Sequence, residues 1–403
     1  MTPAMCSQQR GRYGAESAAV SIPVSGGVVG IAVTPGGHVY AATTDGVTVI
    51  DGRDHRVITT VPIPGHPKNI VTAGDGSTVC VIGYSGLVSM ICPTHHTVRT
   101  GRCAPTVDEV AAPDGSRFYL AHGPVGDASR HSRISVIDPS GTTIAAIRLP
   151  GRIASLAVSS DGARLYAATS ERLPHHQYDQ GSVLVIDTTT YAVVDRIPIG
   201  VCPSAMTLGP EGWRLYVTHP EIRCVSAVNL KTRQVSLIPV EDIPLRVVVS
   251  PAGCAYVITV GSVAVVDTVT NTVRTHIAGD LPRGVAADPD GRYLYVTNFG
   301  GGSVTVIDMA THSVVTTIEV GGNPEAVAVH PEGRWLYVGD YWAATVTALA
   351  TPRSADTSVP RTVNLPARRE TEAETLPLTG AAADSGERCE NSGGHISAPE
   401  PVR

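Results

Sequence analysis

Gly284 to Asn298 reads GVAADPDGRYLYVTN and, after four further residues, Ser303 to Gly322 reads SVTVIDMATHSVVTTIEVGG. Four short runs stand out in this stretch: VAAD, RYLYVT, VTVID and VVTTIEV. Each is rich in β-branched or aromatic residues. Pro-Asp-Gly, a glycine cluster and a polar turn separate them, which is the composition of short strands joined by tight hairpins. We letter these strands a, b, c and d.

The unit of roughly forty residues recurs along the chain. Its a–b turn returns with a glycine at Gly37, Gly76, Gly115, Gly162, Gly212, Gly253, Gly291 and Gly333, each preceded by residues that set or tolerate the bend. The c strand returns from Val47, Val88, Ile134, Val183, Val225, Val263, Val304 and Val346. Seven d strands follow their own c strands, whereas an eighth, AVSIPVSGG at Ala19 to Gly27, stands alone before the first a strand. A chain that opens on an orphan d strand and ends after a c strand completes its last blade by pairing its two ends, which removes an open sheet edge. The predicted fold is therefore all-β: one β-propeller of eight four-stranded blades over residues 19–350. Seven blades would leave one repeat unpaired and is the lesser alternative. Residues 1–18 and 351–403 are expected to be disordered, the latter being rich in Pro, Ser, Thr and Glu.

Leu294 to Asn298 reads LYVTN, with relatives at Leu165 (LYAAT), Leu215 (LYVT) and Leu336 (LYVGD). Together with the ValIleAsp c strands, these make the chain similar to the bacterial YVTN-repeat β-propellers, a WD40-like architecture, from about Ala19 to Leu349. The resemblance is specific for fold. For function it implies only a range, since such relatives include surface-layer domains, exported proteins and propeller enzymes.

Composition narrows the range. The net charge is -6 and lysine occurs only at Lys68 and Lys231, so no basic stripe exists to hold a nucleic acid backbone. No apolar run is long enough for a membrane-spanning helix, and no membrane insertion is expected. The N-terminal MTPAMCSQQRGRYGAES lacks the apolar core of a secretory signal, which points to the cytoplasm, with export to the cell surface as the alternative. The eight cysteines fall at scattered spacings without a CxxC pair, so they are read as thiols, and neither a metal site nor a cofactor is expected. Cys80 and Cys92 are placed to face each other across one hairpin. Leu376 to Gly380 reads LPLTG, a sorting pentapeptide without the apolar span and basic end that accompany such signals.

Antiparallel order puts the d–a connectors and the b–c loops on one rim, around the innermost a strands. Lys68, Asn69, Asp108, Glu109, Arg246, Arg283 and Glu325 lie where the a strands begin, and His122, His219, Asn298 and Asp340 lie where b strands end on the same rim. Converging from different blades, such groups build a polar binding funnel. Two b–c connections are longer than the others, His122 to Arg133 and Ser170 to Ser182, and carry His131, His175, His176, Tyr178 and Asp179. Insertions confined to one rim serve recognition. The reading is a monomeric, non-catalytic binding or scaffold protein for a small polar ligand or a protein segment. The alternatives are a hydrolase or lyase for a lactone or cyclic ester, which requires His122, His219 and a carboxylate such as Asp108 or Glu325 to meet, and a cell-surface structural module. His55, His95, His96 and His312, in c–d turns on the opposite rim, are expected to have no role.

Overall fold

The glycines closing all eight a–b turns have positive φ, between 68° and 87°. This is the left-handed region where a side chain would be strained. In each turn the glycine N–H donates to the carbonyl three residues earlier, from Gly37 to Thr34 through Gly333 to His330. The c–d turns are set by the residue ending the c strand. Asp187, Asn229, Asp267 and Asp308 each accept two backbone N–H groups of the following residues on a side-chain oxygen. Four residues later the chain turns left-handed at Tyr191, Arg233, Asn271 and His312, and in earlier blades at His55 and His96.

The computed structural model describes residues 19–124, 131–172 and 178–352, which form eight four-stranded antiparallel sheets. The seven-bladed alternative is thereby excluded. In the last blade Ala19–Pro23 pairs with Thr345–Ala350, setting Val20 opposite Ala348 and Ile22 opposite Val346. The expected disordered ends, the pentapeptide, His175 and His176 lie outside the described residues.

Alternation along each strand sends apolar side chains to both faces, and neighbouring blades stack on them. Eight buried clusters result, one at each interface between successive blades. The last joins Tyr337, Val346 and Ile22 of blade eight to Val28, Val39 and Ile50 of blade one. Burying a side chain of this size contributes about 1.5–3 kcal/mol, so the eighth interface closes the ring with a force comparable to the others. Cys80 stands opposite Met90, not Cys92, and all six described cysteines are free.

On the rim of the a–b and c–d turns, the carbonyl after the c-strand aspartate accepts a hydrogen bond from the preceding blade. Tyr337 Oη donates to Gly52, Arg117 to Thr188 and Tyr256 Oη to Met309, at 3.3, 2.8 and 3.1 Å, and Arg214 bonds Thr268 in the same way. The left-handed residue completes the seal. His55 Nδ1 lies 3.2 Å from Tyr337 Oη and His312 Nδ1 lies 3.0 Å from Tyr256 Oη. His55 and His312, expected to have no functional role, thus have a structural one. They are interblade fasteners, whereas His95 is exposed.

Candidate functional site at the channel mouth

The a strands line the axis, most of them packed against the next, so their first residues form the mouth of the central channel. Seven of these strands carry a register shift at that end, at Gly30, Asn69, Asp108, Ser155, Arg246, Val285 and Ala326. The strand of blade five begins only at Met206, beyond this point. A bulge leaves one residue unpaired and re-aims its neighbour. Here it falls at the first residues of the strand, among them Lys68, Asn69, Asp108 and Arg246.

In blades two to four these side chains interlock. Lys68 Nζ donates to the Thr106 carbonyl at 2.8 Å, and Asn69 donates to Glu109. Asp108 Oδ2 accepts the Leu156 N–H at 2.6 Å, and Ser155 Oγ accepts the Met206 N–H at 3.2 Å, so each ties its a strand to the next. Burial pushes the Asp108 carboxyl above its ordinary range against the opposing pull of the Leu156 N–H, Ser155 and, across the mouth, Arg246. Glu109 is raised by burial and then by the charge of Asp108, with Asn69 and Lys68 opposing. The result is a half-buried acidic pair flanked by exposed Arg246 and half-buried Lys68. Arg283 lies 5.4 Å over the Phe299 ring, and Glu325 is exposed.

The predicted b-strand residues behave differently. His122 and His219 are 1% and 0% exposed. His219 Nδ1 is 2.7 Å from the Val201 carbonyl and Nε2 2.7 Å from Ser226 Oγ. A carbonyl only accepts, so Nδ1 carries the proton and Nε2 takes the serine hydroxyl. His122 repeats the arrangement with Pro105 and Ser135. Asn298 Nδ2 donates to Ser303 and Thr305, and Asp340 accepts the Asn323 and Ala343 N–H groups. These four side chains pin the b–c hairpin to its surroundings inside the blade, and they do not join Asp108 or Glu325. Burial also holds both imidazoles below their ordinary pKa.

The long connections are partly strand, because the extra residues prolong the hairpin pairing: in blade four it runs to Glu171 opposite Gln180, and His131 pairs with Pro150. Asp179 is ion-paired with Arg172 at 2.9 Å, and Tyr178 is half-buried. Sequence reasoning passed over the aromatic residues of the other b–c loops. Tyr84 and Trp342 are 63% and 73% exposed on this rim, and Tyr341 packs edge-on against Trp342 at 5.1 Å. A bulky aromatic directly after a b strand was the available signal.

Residues 255–374 match the model of the Cytochrome D1 heme domain. A seven-bladed beta-propeller protein of Mycobacterium tuberculosis is 28% identical over 330 residues, covering 71% of this chain and 83% of the relative. Among solved structures, the hydrazine synthase of Kuenenia stuttgartiensis aligns with a TM-score of 0.58 at 20% identity over 82% of this chain and 96% of that one. Dihydro-heme d1 dehydrogenase NirN, in complex with DHE, aligns with a TM-score of 0.58 at 19% identity over 73% of this chain and 66% of that one. At such identities the structural likeness speaks for the propeller fold.

Proposed function

We propose that this propeller is a non-catalytic binding protein that takes a small polar ligand, or a polar segment of a partner, at the channel mouth over blades two to six. One observation carries the reading. The bulged a strands bring Lys68, Asn69, Asp108, Glu109 and Arg246 to a common mouth, where two neighbouring carboxyls are kept half-buried although burial disfavours their charged forms. Groups held against their own solvation are concentrated at functional sites. A ligand offering both hydrogen-bond donors and an acceptor would meet the carboxyls and Arg246 together.

The family match raises a haem reading, and the channel wall does not fit it. The a strands, described in all eight blades, contain no His, Cys or Tyr, and Met206 is buried in the core between blades four and five. His312 and His330, within the matched segment, sit in turns of the opposite rim. The a strands therefore offer no His, Cys or Tyr to serve as an axial ligand.

A thermal-shift screen of the full chain against small polar metabolites, lactones and nucleotides tests the proposal. A ligand at about a hundred times its Kd stabilises by about 2.7 kcal/mol. That shift should shrink in Arg246→Ala and Asp108→Asn. Hits whose shifts are unchanged in both variants would place binding elsewhere.

A further inference from the structure

The register of blade three sets His122 opposite Arg133 and Arg133 directly opposite Arg148, so the two guanidinium side chains leave the same face of adjacent strands. Residues so paired have Cβ atoms about 4.5–5.5 Å apart, and like charges there destabilise the sheet. Neither arginine has an acidic partner among the described residues. Elsewhere in the chain, Arg164, Arg172, Arg196, Arg214, Arg233 and Arg274 each contact a carboxylate.

The repeat supplies an internal comparison. The same cross-strand position holds Leu87 and Arg102 in blade two, Ser182 and Pro198 in blade four, Cys224 and Pro239 in blade five, Ser262 and Ala278 in blade six, and Ser303 and Glu319 in blade seven. Blade three alone of these puts two cations there. The pair also lines a cavity of about 640 Å³ with Ala104, His122, Gly123, His131 and Ser132, a wall without a carboxylate among the described residues.

We infer that this cavity is an oxyanion site, separate from the channel mouth, in which Arg133 and Arg148 together hold a phosphate group. Two guanidinium forks match the charge and the paired oxygens of a phosphate dianion, and an anion between them offsets their mutual repulsion. The cleft also has room for the organic part of a small phosphomonoester, whose added contacts favour the ester over the free ion.

The test is calorimetric titration of the full chain with inorganic phosphate and, separately, with glycerol phosphate, at constant ionic strength, with chloride as the background anion. Both should bind, the ester more tightly. Each of Arg133→Gln and Arg148→Gln should weaken binding by about tenfold or more, as expected for losing a charge-assisted hydrogen bond. Arg148→Glu should abolish binding and raise the melting temperature of the ligand-free protein, because it converts a repelling pair into an attracting one. Tighter binding of the free ion than of the ester would overturn the ester assignment. Equal binding by wild type and the glutamine variants, or no heat from either probe in the millimolar range while Arg148→Glu leaves the melting temperature unchanged, would overturn the site. Neither result bears on the mouth, whose residues these variants leave untouched.

Discussion

The phenol of Tyr337, in the last blade, meets Nδ1 of His55, in the first, at 3.2 Å. His55 also stands edge-on to Trp335 with ring centres 4.2 Å apart. Three side chains thus fasten, on the turn-bearing rim, the seam that the terminal strand closes by sheet pairing. Tyr337→Phe should cost about 1–3 kcal/mol, since the phenol serves both the Gly52 carbonyl and His55. His55→Ala should cost about 2 kcal/mol, since the aromatic contact goes as well. His95→Ala, an exposed neighbour in the same kind of turn, should stay within about 0.5 kcal/mol of wild type. Urea unfolding checks all three.

Closure by the first strand has its own test. Removing residues 1–27 deletes the partner of Thr345–Ala350 and bares that strand's edge. Aggregation or a large fall in melting temperature is expected, whereas removing residues 355–403 should leave the melting temperature in place. Equal melting of the first truncation and the full chain would contradict the pairing.

Acid should loosen the fold through its buried histidines. Burial holds His55, His122 and His219 below their ordinary pKa. The unfolded chain binds these protons near pH 6.5, the folded chain only at lower pH, so the unfolded state gains protons first and stability falls as pH drops below about 6.5. Asp108 and Glu109, raised by burial, have the opposite sign: their contribution is full below about pH 4 and is lost as pH rises through their folded values. Stability measured between about pH 7.5 and 5 should slope less steeply in His219→Gln than in wild type. An unchanged slope would mean that His219 is not held neutral by its site.

The mouth carboxyls should show a trade between stability and binding. Asn at position 108 keeps an oxygen for the Leu156 N–H and drops a charge that burial disfavours. Asp108→Asn should therefore melt at or above the wild-type temperature near neutral pH while binding less well, the pattern of a residue retained for function. A variant that is both less stable and equally competent would make Asp108 a purely structural link.

Much of the fold was legible because its turns have strict local chemistry. The eight positive-φ glycines and the aspartates that cap the c–d turns are written in the repeat, and the orphan strand at Ala19 announced the closure. The mouth residues were also legible, since the start of each a strand follows from strand order. His122 and His219 were misplaced because loop-end histidines look exposed in a linear reading. Apart from Gly83, the rest of their column in the repeat, Thr43, Thr169, Thr259, Asn298 and Asp340, has side chains that bond locally, and this marks the position as structural. The Arg133 and Arg148 pair was out of reach, because cross-strand register emerges only when the hairpin is built.

A crystallographic fragment screen on the full chain tests the central claim most directly, because it surveys every surface without requiring the natural ligand. Polar fragments should collect at the channel mouth, in contact with Asp108, Glu109 or Arg246. Fragments gathered on the rim of the a–b and c–d turns, with the mouth left to solvent, would contradict it.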